Sequence, residues 1–387
     1  MPKLSLEAWK MNLKLNEPFT ISFHTFTHQE NILVKLHYGV HTGLGEAAPF
    51  KAVTGDSQQE VLGQLRELIT PIAQDAPLPD PEKRNTAEFH QWLDTVRPGN
   101  KTVTSATRAA LDFAWHDLMG KLSDKPVWKL YSRKSSAAPE SFTLSIKSPE
   151  EMSRKAARIA DLYPDLQVLK IKLEGSERDL ERAREIRSSM PRPMRFMIDA
   201  NQGFQNPDEA VRILQEIEQI LGEVILVEEP LPKGDLAGMR EVKERIGGIQ
   251  IFADESAAGL DDLRRVIEKG AADGVNIKLQ KAGGIWPGRQ IADEASKAGL
   301  NVMVGCMLEG PLAISAGVHF AVSIPNIVVT DLSADLLTLE HTKRRARFEN
   351  GRRLPPDAPG LGVVFNEEKL SELAGSGALI LEKKVAS

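Results

Sequence analysis

Val168-Leu169-Lys170-Ile171-Lys172 opens a series that continues with Met197-Ile198-Asp199, Leu226-Val227-Glu228, Phe252-Ala253-Asp254 and Asn276-Ile277-Lys278. Each run is mostly apolar and ends in a charge. From Lys172 onward the charges stand 27, 29, 26 and 24 residues apart. One strand, one helix and two turns consume about that length. Charges repeating at the βα period belong at one end of a parallel barrel, where barrel enzymes carry their chemistry.

Outward from this series the same rhythm holds. From about residue 140, strand-like runs end near Thr143, Lys172, Asp199, Glu228, Asp254, Lys278, Cys306 and Asp331. Amphipathic charged stretches lie between them, such as 149–162, 177–190 and 208–221. Ser148 and Asn206 each precede a proline, the order of a helix cap and its first residue. Eight strands alternating with helices close into a barrel. An open doubly wound sheet would need a glycine-rich phosphate turn after an early strand, and no convincing one is present.

The periodicity is absent at both ends. Residues 1 to about 125 read as α+β. Strands are expected over 4–15, 32–38 and 43–48, and helices over 57–72 and 105–121. Residues 18–30, rich in Thr, Ser and His, show no period and read as a loop. After the eighth run, 344–353 is basic and reads as a solvated surface, and 355–362 as a turn-rich linker. A tail follows that is expected to pack back onto the N-terminal part.

Composition excludes several classes. The 387 residues are 41% hydrophobic and 27% charged, with a net charge of −5. No basic stripe suggests nucleic acid. No apolar run approaches a membrane span, and Met1-Pro2-Lys3-Leu4 does not read as a signal peptide. The single cysteine, Cys306, cannot form an intrachain disulfide, which fits a reducing cytoplasm. The oligomeric state is open, and a homo-oligomer is compatible with the sequence.

The charges themselves suggest chemistry. Lys170 and Lys172 are two apart on a strand and share its inner face. Burial and a neighbouring like charge both make a lysine easier to neutralise, so Lys172 is a candidate base. Asp199, Glu228 and Asp254 converge from three consecutive strands and repel unless a cation joins them. An all-oxygen set points to Mg²⁺, with Mn²⁺ the other candidate. Strand alternation turns Glu229 and Glu255 away, into supporting roles. Lys278 lies four strands from Lys172, across the ring. A lysine on each side of a metal-held carboxylate suits proton removal and return at the adjacent carbon. Lysine bases paired with Mg²⁺ in enolase-type sites are a known pattern.

These segments resemble the enolase superfamily, in its muconate-lactonizing subgroup. The resemblance rests on Lys170-Ile-Lys172, Asp199-Ala-Asn201-Gln-Gly203, Val227-Glu228-Glu229-Pro230, Ala253-Asp254-Glu255-Ser256 and Asn276-Ile-Lys278. Gly43-Leu-Gly45-Glu46-Ala-Ala-Pro49, Ala110-Leu-Asp112 and Pro359-Gly360-Leu-Gly362 extend it over nearly the whole chain. It implies a (β/α)7β barrel, a modified TIM barrel, over residues 126–354. It also implies an α+β capping domain over 1–125, joined by the tail 355–387. Within the subgroup the chain is most similar to dipeptide epimerases, including the L-Ala-D/L-Glu kind, through Gly305-Cys306-Met307-Leu308-Glu309.

The resemblance implies catalytic Lys172, Lys278 and Lys170, and Mg²⁺ on Asp199, Glu228 and Asp254. Asn201, Glu255 and Asn276 would support these groups. Thr143, Met307, Asp331, Ser333 and His24 would meet the substrate, a dipeptide. The chain departs from the epimerase pattern where Gly310 replaces a serine and where Asp331-Leu332-Ser333 replaces Asp-x-Asp. Asp335 is a candidate to compensate, and His24 and His28 stand where a basic loop residue is usual. Cys306 and His319 read as packing residues. Cycloisomerisation or β-elimination, as in muconate lactonization or o-succinylbenzoate synthesis, uses the same lysines and metal. A non-catalytic binding barrel is the alternative from another class.

Overall fold

The eight runs form one parallel sheet in chain order, β4 (Ser141–Leu144), β5 (Val168–Lys172), β6 (Arg195–Asp199), β7 (Val224–Glu228), β8 (Gln250–Ala253), β9 (Gly274–Lys278), β10 (Asn301–Gly305) and β11 (Ile327–Asp331). This computed structural model describes residues 4–21, 24–73, 79–338, 342–366 and 368. A parallel bridge between Glu140 and Thr330 joins β11 to the entry of β4 and completes the ring. Helices Pro149–Leu162, Arg178–Ser189, Pro207–Leu221, Leu236–Ile246, Leu260–Lys269, Ile285–Lys297 and Pro311–Ser323 fill the seven connections. The architecture is therefore (β/α)7β. The expected caps are present. Ser148 accepts from the Glu151 amide in a capping box, and Asn206 accepts from the Glu209 amide.

Strand alternation builds the barrel interior in layers. Val168, Met197, Leu226, Phe252, Met303 and Val329 pack together as an apolar plug. Two residues further along β5, β6, β7 and β11, the same faces present Lys170, Asp199, Glu228 and Asp331. Gly274 belongs to the plug layer because a Cβ there would strike the Phe252 ring. The floor of the site is thus apolar and tightly filled, and the charges lie directly above it.

In front of the barrel, β1 (Leu4–Ile21), β2 (His24–Tyr38) and β3 (His41–Ala47) form an antiparallel sheet. It packs on helices Gln58–Ala73, Thr86–Thr95 and Ser105–Leu122 around a second core that includes Trp115, Phe89 and Leu65. Of the stretch read as a loop over 18–30, residues 18–21 and 24–30 instead continue the β1–β2 ladder, with Phe19 opposite Phe26 and Thr20 opposite Thr25. One face of this extension is exposed and the other covers the cavity with few apolar residues, which weakens the hydrophobic alternation that marks a strand. Its β-branched threonines still favour extended backbone.

The basic stretch 344–353 also differs from a simple solvated surface. It forms short antiparallel strands, and Arg353 is buried on the carboxylate of Asp335 at 2.8 and 2.9 Å. Gly360 sits against the helix Ser105–Leu122, where the Leu361 amide donates to Asp117 at 2.6 Å. The expected packing of the tail falls mostly on residues outside those described.

Candidate active site

Lys170 and Lys172 leave β5 on the same face and are 1% and 8% exposed. Lys170 Nζ lies 2.8 Å from Asp331 Oδ2, 2.9 Å from Glu228 Oε1 and 3.0 Å from Asp199 Oδ2. Lys172 Nζ donates to Asp199 Oδ2 at 2.6 Å and to Asn201 Oδ1 at 2.9 Å. Lys278, also 8% exposed, donates to Asp254 Oδ2 at 2.6 Å. Lys281, three residues on, donates to the other oxygen of Asp254 and to its carbonyl. Asn276 donates to Glu228 Oε2 at 2.7 Å, and a side chain at Gly305 would crowd that amide.

At Lys170 and Lys278 the neighbouring carboxylates decide the electrostatics, not burial. Burial alone would push Lys278 down, but the carboxylates of Asp254 and Glu255 outweigh it and push it up. Lys170 is raised in the same way, against its burial, by Asp199, Asp331 and Glu228. Burial pushes Glu228 up to about 7, and Lys170 opposes it. The three carboxylates do not close on one another. Asp199 and Glu228 share the Lys170 ammonium, while Asp254 stands on Lys278 and Lys281. Among the described residues no three acidic or imidazole or thiol groups converge to ligating distance. The donor set nevertheless fits a hard divalent cation. It is all oxygen and fully buried, and Glu228 Oε1 accepts no hydrogen bond, since Lys170 approaches it outside bonding geometry.

Backbone distortion gathers here. Asn201, just past β6, has φ 44°, and Glu229, just past β7, has φ 36°. Glu229 is a supporting residue as expected, accepting from the Asp254 amide at 2.7 Å and the Ser256 amide at 3.2 Å. Glu255 is not turned away. β8 ends at Ala253, Glu255 opens a helical turn, and its side chain lines the cavity above Lys278. Alternation applies only inside the strand, and this residue is already outside it. Burial and Asp254 push its carboxyl up to about 7.

One cavity at the barrel mouth is lined by Lys170, Lys172, Lys278, Asn201, Glu255 and Asp331, together with Thr143, Cys306, Met307 and Ser333. The β1–β2 hairpin covers it with Phe19, Ile21 and Phe26. The layered ring, the buried lysine pair on opposite strands and the three strand-end acids match a known arrangement. A model of the enolase C-terminal domain-like family matches residues 151–369, and one of the mandelate racemase / muconate lactonizing enzyme N-terminal domain matches residues 4–131. The chain belongs to the enolase superfamily.

Several of the relatives it matches are epimerases and racemases by name. An L-Ala-D/L-Glu epimerase of Clostridium acetobutylicum is 34% identical over 356 residues, covering 91% of this chain and 96% of that protein. An N-succinyl-L-Arg/Lys racemase of Bacillus cereus is 29% identical over 373 residues, covering 95% and 97%. A crystal structure of a dipeptide epimerase from Enterococcus faecalis V583, complexed with Mg and L-Leu-L-Tyr, superposes with TM-score 0.85 at 29% identity. It covers 94% of this chain and 100% of that one. Among the described residues no helix is long and apolar enough to cross a membrane.

The strand-eight wall of this superfamily member is fully engaged. Asp331 accepts from Thr143 at 2.8 Å and from Lys170 at 2.8 Å. Ser333 donates to Glu140 at 2.7 Å, and Glu140, which the sequence did not single out, is pushed up to about 7 by burial. Asp335 does not compensate for the missing second acid. It is buried away from the cavity on Arg353 and Arg345. His24 is absent from the lysine cavity. Its ring packs outside, 4.4 Å from Phe26 and 5.5 Å from Phe50, and those two rings take the place it was expected to fill. His28 pairs with Glu30 on the exposed edge. Burial pushes the Cys306 thiol up, and His319, pushed down to about 3 by burial, packs neutral between Trp128 and Leu361.

Proposed function

We propose that the chain is a Mg²⁺-dependent epimerase that inverts the carbon next to a carboxylate, in a dipeptide. One observation carries this reading: Lys172 on β5 and Lys278 on β9, four strands apart in the ring, line the same covered cavity. Their names give relatives of this chain the same chemistry on dipeptides and acylated amino acids.

Asp199, Glu228 and Asp254 would hold the divalent ion, and Mn²⁺ suits the same oxygen donors. The chemistry such an ion would supply is neutralisation of the charge developing on the substrate carboxylate, and of the carboxylates that hold it. The protein supplies the rest. One lysine, as the free amine, takes the α-proton from one face of the carbon; for Lys278 this requires the charge of Asp254 and Glu255, which hold it protonated, to be offset. The other, as the ammonium, delivers a proton to the opposite face. One C–H bond breaks, one forms, and each lysine exchanges its proton state. Lys170 keeps its charge on Asp199, Glu228 and Asp331 and offers an ammonium to the carboxylate end. The hairpin excludes water, which strengthens each of these interactions.

The test is a set of dipeptides and N-acyl amino acids in deuterated buffer with Mg²⁺, read by mass spectrometry. Solvent deuterium at an α-carbon, lost on chelation of the metal, is the expected result. Loss of a neutral fragment without exchange would assign elimination instead.

A further inference from the structure

The cavity has two walls of opposite chemistry. Among the described residues its charged lining consists of Lys170, Lys172, Glu255, Lys278 and Asp331, all at or just past barrel strand ends. The facing wall carries none. Phe19, Ile21 and Phe26 come from the hairpin, Phe50 from the segment after β3, Phe142 from β4 and Leu337 from the turn after β11. The Phe26 and Phe50 rings meet edge to face at 5.0 Å, and His24 braces both from outside.

The charges nearest this roof point elsewhere. Glu17, in a neighbouring groove beyond Phe142 and Leu337, is held by Lys147 and Lys155. Lys51 pairs with Glu60 at 2.9 Å, and His28 pairs with Glu30. An acidic or basic substrate side chain reaching the roof would lose its hydration against apolar side chains, and among the described residues the cavity lining on that wall offers it no charged partner. An aliphatic or aromatic side chain would replace water against rings at no such cost.

We infer that this enzyme selects dipeptides with bulky apolar side chains over those with acidic or basic ones. The inference rests on the epimerase reading above and adds the substrate class. Phe26 and Phe50 are its specificity-determining residues, and Phe142 and Leu337 close the other end of the roof.

The experiment measures kcat/KM for α-deuterium exchange by the wild-type Mg²⁺ enzyme on L-Leu-L-Leu, L-Phe-L-Leu, L-Ala-L-Ala, L-Ala-L-Glu and L-Lys-L-Arg. The leucyl and phenylalanyl substrates should exceed L-Ala-L-Ala by at least about tenfold, and the two charged substrates by about a hundredfold. Charged substrates that match or exceed the apolar ones overturn the inference while leaving the epimerase reading intact. Exchange on none of the dipeptides overturns the epimerase reading and the inference with it. Phe26→Arg gives a second arm, with its fold checked by thermal melting. It should lose at least about tenfold on L-Leu-L-Leu and gain on L-Ala-L-Glu. An unchanged ratio of the two contradicts the role given to the roof.

Discussion

Asn276 shows how single residues make this site. Its amide holds Glu228 Oε2 at 2.7 Å and so leaves Oε1 as the oxygen without a hydrogen-bond donor. Groups that orient a metal ligand matter nearly as much as the ligand itself. Asn276→Ala is therefore expected to weaken Mg²⁺ binding by about 10–100-fold, measured by titration calorimetry, with little change in thermal stability. Unchanged affinity would show that Glu228 needs no such support. At this scale the sequence was legible where a charge closed a strand. Lys170, Lys172, Asp199, Glu228 and Lys278 all announce themselves by alternation and period. Lys281 did not, because it belongs to a short helical turn after β9 and reaches Asp254 only by that turn. Glu140 lies before β4, and no periodic signal links it to Ser333.

Between elements, the helix Pro311–Ser323 begins at Gly310, which has no side chain to cap it. Glu46, at the end of β3, does so from the other domain, accepting from the Gly310 amide at 2.6 Å and the Ala313 amide at 3.0 Å. Burial still pushes its carboxyl up to about 7, from an ordinary value of 4.5. A raised acid favours the folded state while protonated. That contribution is complete below about pH 4.5 and is lost as pH rises through about 7. Glu46→Gln cannot ionise, so its stability relative to wild type should improve by up to about 3 kcal/mol between pH 5 and 8. Urea midpoints at the two pH values measure this, and a pH-independent difference would contradict it. Elements were legible where burial made a short apolar run recurring at the βα spacing, as in the barrel strands, which are buried on both faces. The hairpin over 18–30 was not, because both of its faces meet solvent or the cavity rather than a core.

For the molecule as a whole, the barrel and the front domain are joined by buried hydrogen bonds to a carboxylate that the front domain itself neutralises. Asp112, on the helix Ser105–Leu122, accepts from the Ile285 and Trp286 amides of a barrel helix at 2.5 and 3.3 Å. It also binds His90 at 2.8 Å and His116 at 3.2 Å, and these histidines hold its carboxyl low against the effect of burial. Asp112→Ala should cost about 3–5 kcal/mol in urea denaturation, because it leaves buried partners uncompensated. A loss under about 1 kcal/mol would mean that the two parts are held together by apolar packing alone. Contacts of this kind join residues far apart in sequence, and so does the Arg353–Asp335 pair. Local pattern cannot reveal either. The barrel as a whole could be read because its repeat is itself the pattern. The account built on it stands on two lysines facing each other across that ring. The most direct test follows α-deuterium exchange of each stereoisomer of an active dipeptide separately. Lys172→Ala should reduce epimerisation by about 10²–10⁴-fold yet still exchange the isomer whose α-proton faces Lys278, and Lys278→Ala should show the reverse. A single variant that interconverts both isomers at near wild-type rate would contradict the two-lysine mechanism.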